Sequence, residues 1–100
     1  MITKLENNQL EITFDEKIIA SEVPTLTERI KSILDDKTDY SQVVANFSKV
    51  EYIDSTGITL VIGIYRTVAN MEKQFSVIGA KDEIKNLFSI IQLDKIFNIV

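Results

Sequence analysis

The sequence predicts a small α/β domain, a single-layer mixed β-sheet with crossover helices, and three observations carry that prediction. Short alternating or wholly apolar runs take turns with longer segments whose apolar residues recur at helical spacing. Two strand-like runs come first and strand and helix alternate thereafter, which implies right-handed crossovers and a sheet parallel at its centre, opened by an antiparallel pair. The 100 residues carry no repeat, linker or low-complexity tract, so 1–100 is expected to form a single domain.

Ile2 and Leu5 lead to Asn7-Asn8, a turn pair, and Leu10-Glu11-Ile12-Thr13-Phe14 then alternates with period two, so Leu10, Ile12 and Phe14 should face the core. The polar group Asp15-Glu16-Lys17 precedes Ile18-Ile19, either a short continuation of the strand or the start of the connection. Ser21 is the expected N-cap of the first helix, with Pro24 in its first turn and Val23, Leu26, Ile30, Ile33 and Leu34 on its apolar face. Glu28 and Lys31 form a surface i,i+3 pair, and Asp35 to Asp39 reads as a charged, solvated connection. Val43-Val44-Ala45-Asn46-Phe47 predicts a strand covered on both faces or nearly so, with Asn46 finding amide partners in the turn that follows.

The next helix predicts its own asymmetry. At 3.6 residues per turn Thr56, Thr59, Gly63, Arg66, Thr67 and Asn70 fall within roughly 100°, whereas the apolar residues from Ile58 to Met71 span roughly 200°. A sheet contact needs about half that width, so either a neighbouring helix covers the excess or Ile58 and Ile62 are left for a partner. Phe75-Ser76-Val77-Ile78 then reads as a strand ending at Gly79. Ile84, Leu87, Phe88 and Ile91 read as a third helix with Asp82 and Glu83 in its first turn, and Ile96 to Val100 as a final extended segment.

Composition excludes several functions. The chain has no cysteine and no histidine, so it holds no disulfide, no thiolate zinc site and no serine-histidine-carboxylate triad. A net charge of −4 with scattered basic residues disfavours direct nucleic-acid binding. No apolar run suits a signal peptide or a bilayer span, so a soluble cytoplasmic protein without membrane insertion is expected, monomeric when free and with no cofactor.

The candidate site is Asp54-Ser55-Thr56-Gly57, between the apolar strand and the apolar helix. A helix start offers unpaired N–H groups and positive dipole, which stabilise an oxygen-bearing side chain or a phosphate on it, and Gly57 would leave the backbone open to close approach by another molecule. Ordinary N-capping explains the same residue types. As a nucleophile Ser55 or Asp54 lacks a base and an oxyanion partner in the sequence, which speaks against an enzyme.

A strand with Asn near its end, a turn, Asp-Ser-Thr-Gly and a strongly apolar helix resemble the central motif of the STAS family, the domain shared by sulphate transporters and anti-sigma-factor antagonists. Val43 to Tyr65 carries the signature, and Gly79, Ile84 to Phe88 and Leu93 to Phe97 resemble the closing segment. The resemblance implies a bacterial anti-anti-sigma factor that regulates transcription. Its phosphoacceptor would be Ser55, phosphorylated by an anti-sigma factor with serine kinase activity and reset by a serine phosphatase. Partner contacts would come from Ile19, Ala20, Ser21, Asp54, Thr56, Gly57, Ile58, Thr59 and Ile62. One departure is plain: where the antagonists show a Gly-Glu-Leu-Asp-like run, this chain has Glu16-Lys17-Ile18-Ile19, with Ile19 replacing the acidic residue. The alternative the resemblance leaves open is a STAS subunit of a larger signalling complex or of a lipid or anion transporter, without a phosphorylation switch.

Overall fold

The computed structural model describes residues 1–36 and 39–100. Its elements run β1 (Ile2–Glu6), β2 (Gln9–Thr13), β3 (Lys17–Ile18), α1 (Val23–Asp36), β4 (Gln42–Asn46), β5 (Tyr52–Ile53), α2 (Ser55–Asn70), β6 (Gln74–Ile78), α3 (Asp82–Ile90), a single 3-10 turn (Leu93–Lys95) and β7 (Asn98–Ile99). Five strands form one mixed sheet in the order β1-β2-β4-β6-β7, antiparallel only between β1 and β2. The opening hairpin follows from Asn7 and Asn8, which take φ of 53° and 65°, the left-handed pair that a tight two-residue turn requires and asparagine tolerates. Among the described residues no helix is long and apolar enough to cross a membrane.

Register shows how the period-two pattern becomes a core. Leu10, Val43 and Phe75 lie side by side across β2, β4 and β6, as do Ile12, Ala45 and Val77, and all six are buried beneath the helices. Phe47 sits at the centre, fully buried, with Phe14 and Phe88 packed edge-on at ring distances of 5.4 and 5.9 Å.

The other face of the sheet carries Glu11, Thr13, Ser76 and Ile78, all half-exposed. Among the described residues no helix packs on that face, yet Val43, Val44 and Ala45 are all buried, so the central strand is covered on both sides over its middle residues, as its apolar run predicts. Val44, outside the core cluster, is buried on that face with Glu11 and Ser76 beside it in register. Asn46 is half-buried and anchors the following turn, its Oδ1 accepting the Ser48 N–H at 2.9 Å.

Several local expectations shift. Ser21 does not cap α1. The Leu26 N–H donates to the Glu22 carbonyl, so Glu22 occupies the capping position and Ser21 stays in an exposed turn. The Glu28–Lys31 pair is absent from the ion pairs among the described residues. Of the expected charged connection, Asp35 and Asp36 extend α1, and Lys37 and Thr38 lie outside the described residues. Ile18 neither continues β2 nor merely connects. With Lys17 it forms β3, which pairs in parallel with β5 as a separate two-stranded sheet.

Because Phe47 links Phe14 to Phe88, Phe47→Ala removes the ring that both pack against. It is expected to lower the unfolding free energy by about 3–5 kcal/mol, read from a urea transition. A loss under about 1 kcal/mol would mean that the ring chain does not organise the core.

Candidate functional site

The site forms where the small β3–β5 sheet brings two separate segments together. The Glu51 and Tyr52 N–H groups donate to the Glu16 carbonyl at 2.7 and 3.2 Å, and the Asp54 N–H donates to the Ile18 carbonyl at 3.3 Å. Lys81, just before α3, supports the turn from behind. Its Nζ donates to the carbonyls of Ser48 and Val50 at 3.4 and 3.3 Å and pairs with Glu51 at 3.1 Å. Lys81 escapes a sequence reading because its partners lie some thirty residues earlier and nothing local marks it.

Asp54 is the N-cap of α2, with extended φ and ψ of −103° and −177°. Its Oδ1 accepts the Gly57 N–H at 2.8 Å, and its Oδ2 accepts the Ala20 N–H at 2.9 Å. One carboxylate thus caps the helix and holds the Ile19-Ala20-Ser21 connection beside it. The Gly57 N–H, and after it the Ala20 N–H, stabilise the charged form and hold the carboxyl below its ordinary pKa.

Gly57 corrects an expectation. It is buried, and a Cβ there would collide with the Ile18 carbonyl oxygen and come within 2.8 Å of the Ile53 side chain. The close approach that glycine permits is therefore to this chain's own β3, and Gly57 offers no face to a partner.

Ser55 is the first residue of α2 and is exposed, and among the described residues its hydroxyl has no hydrogen-bond partner. Its carbonyl accepts the Thr59 hydroxyl at 3.0 Å. Thr56, Thr59, Ala20 and Ser21 are exposed around it, and Ile19 is half-buried. Tyr52 is 58% exposed a short step before Asp54, an aromatic ring that the sequence reading did not place among the partner contacts. The outward half of a two-residue strand shows no alternation to read.

Ile58 and Ile62 are half-buried against the edge of the core. The helix expected to cover this side lies elsewhere. α1 faces the flank of α2 that carries Thr56, Thr59, Gly63 and Thr67, the arc read from sequence as polar surface. On the opposite flank Tyr65 packs against Phe75 and Phe97, at ring distances of 6.4 and 5.5 Å. Among the described residues no cluster of side chains suits a metal ion.

The STAS domain model matches residues 1–100. The chain belongs to the STAS family. A protein of Staphylococcus aureus named anti-sigma-B factor antagonist is 30% identical over 77 residues, covering 77% of this chain and 69% of that protein. In fold, this STAS domain is similar to an anti-sigma factor antagonist from Mycobacterium paratuberculosis, with a TM-score of 0.85, 19% identity, and coverage of 98% of this chain and 81% of the other. It is also similar to the Bacillus cell fate determinant SpoIIAA in its phosphorylated form, with a TM-score of 0.74, 14% identity, and coverage of 99% and 89%.

Two predictions follow from the geometry of this STAS domain. Gly57→Ala should destabilise by about 1–3 kcal/mol in a denaturant melt, because the atom in the way is backbone and cannot rotate aside. For Asp54 the sign is that of a depressed carboxyl. Its stabilisation is present above the unfolded pKa and is lost as pH falls through the lowered folded pKa. Asp54→Asn should therefore melt below the wild type at neutral pH, with the gap closing in acid. A gap of constant size would show that the carboxylate's charge contributes nothing.

Proposed function

We propose that this protein is an anti-sigma-factor antagonist whose unphosphorylated form binds an anti-sigma factor with serine kinase activity and so frees a sigma factor for transcription. Phosphorylation of Ser55 ends that binding, and a serine phosphatase restores it. The observation that carries the reading is the unengaged, exposed Ser55 hydroxyl on a backbone held still by Asp54. The naming of the S. aureus relative as an anti-sigma-B factor antagonist supports the antagonist role, and the phosphorylated form of SpoIIAA supports a phosphorylation switch.

In the transfer, Ser55 Oγ attacks the γ-phosphorus of ATP and the bond to the ADP oxygen breaks. The hydroxyl proton passes to a base on the kinase. The chain itself supplies the acceptor and the surface, with no histidine for base catalysis. The product carries about −1.5 to −2 charges next to the ionised Asp54. Those two like charges at an exposed helix start disfavour any partner surface that must desolvate them, and binding is lost without refolding.

The docking surface on this reading comprises Ile19, Ala20 and Ser21, the exposed parts of the Asp54-Thr56 turn, Thr59, and the half-exposed edges of Ile58 and Ile62, with Gly57 beneath it as a spacer. Ile19 gives that surface an apolar residue beside Asp54.

Intact-mass analysis after reaction with the kinase and ATP should show one added phosphate, and none on Ser55→Ala. Because among the described residues the hydroxyl engages no partner, Ser55→Ala should stay within about 0.5 kcal/mol of wild-type stability and should bind the anti-sigma factor whether or not ATP is present. A Ser55→Ala protein that still gains phosphate would move the acceptor to Thr56.

A further inference from the structure

We propose that the groove between α1 and α2 is a second contact of the same partner: a pocket for an apolar side chain of the anti-sigma factor, with a carboxylate of that partner set against Lys31. The inference rests on the antagonist reading above. The groove has a volume of about 290 Å³ and is floored by Ile30, Leu34, Leu60 and Ile64. Half open and at the lower limit of small-molecule pockets, about 300–1,000 Å³, it suits one or two inserted side chains better than an enclosed cofactor.

Three features say what fits. Three of the four threonines around the groove use their hydroxyls on their own helices: Thr27 donates to the Val23 carbonyl at 2.8 Å, Thr59 to that of Ser55 at 3.0 Å and Thr67 to that of Gly63 at 3.0 Å, while Thr56 lies exposed at the groove's mouth. Past the mouth the walls thus ask for no polar partner, and an apolar group enters without stranding the Thr27, Thr59 or Thr67 hydroxyl. Lys31 lines the same groove, and among the described residues no ion pair or hydrogen bond engages it. In a chain of net charge −4, that cation offers a carboxylate its complement.

The third feature is Gly63. Glycine in a helix interior is less favourable than alanine, so its presence in the middle of α2 calls for a reason. Gly57 has one in the Ile18 carbonyl, and Gly79 has one in its φ of +72°. At Gly63 an added Cβ would meet nothing within 4 Å. No atom of the described chain needs the space, which leaves a partner's close approach to the α2 backbone as its use. Thr56 and Thr59 line one end of the groove and also flank Ser55, so a partner seated at Ser55 already lies at the groove's mouth.

The test is titration calorimetry of the full chain against the purified anti-sigma kinase of the same genome, with melting curves for each variant. Gly63→Leu should melt no lower than the wild type and should bind at least about tenfold more weakly, a hot-spot-sized loss. Gly63→Ala should stay folded and show a smaller loss in the same direction. Lys31→Glu should weaken binding several-fold at low salt, with the deficit shrinking as salt rises. Wild-type affinity in folded Gly63→Leu and Gly63→Ala overturns the groove proposal alone, provided the wild type binds and Ser55 phosphorylation releases it. No binding by the wild type overturns the antagonist reading and removes the groove's proposed occupant with it.

Discussion

The site depends on the two hydrogen bonds accepted by one carboxylate. Asp54 takes the Gly57 N–H on one oxygen and the Ala20 N–H on the other, so the start of α2 and the connection leading into α1 share a single anchor. Each bond alone would be ordinary: an N-cap, and a contact with an exposed turn. Together they make the position of Ser55 a property of two elements that lie more than thirty residues apart in sequence. The carboxylate thus fixes where the exposed Ser55 hydroxyl is presented.

The rest of the architecture serves that anchor. The two-residue strands β3 and β5 would not persist alone, because so short a ladder cannot offset the entropy of ordering it. They hold because Ile18 and Ile53 are buried in the common core and Gly57 lets α2 start directly against the Ile18 carbonyl. Lys81 ties the Ser48-to-Glu51 turn from the far side, which couples the beginning of α3 to the same region. The turns after β4 and β5 lie at the carboxyl ends of their strands, the usual place for function in α/β sheets, and neighbouring segments hold them in place there.

Much of this was legible in residue pattern. The alternation of Leu10, Ile12 and Phe14, the helical spacing of Leu26, Ile30 and Leu34, and the left-handed turn at Asn7 and Asn8 report local geometry, and the folded chain follows them. The motif at Asp54 to Gly57 was legible as a helix start, though not the division of labour within it. Asp54 is the cap, Ser55 is free, and Gly57 answers an atom of β3. The flank of α2 with Thr56, Thr59, Gly63 and Thr67 is exposed as its pattern suggested, but the pattern could not show that it faces α1 across a groove, with Thr59 and Thr67 bonded back to their own helix.

By itself the sequence determined the order of the longer strands and helices, the class of fold, the absence of histidine and cysteine chemistry, and the helix start at Asp54 to Gly57, because these depend on residue identity and on spacings of a few residues. Only the tertiary structure decided which flank of α2 meets α1, that among the described residues no helix packs on the second face of the sheet, that Gly57 is internal, and that Asp54 reaches Ala20. Those outcomes are contacts between distant segments. They are set by how the core packs once the strands take their register, and no local period in the chain encodes them.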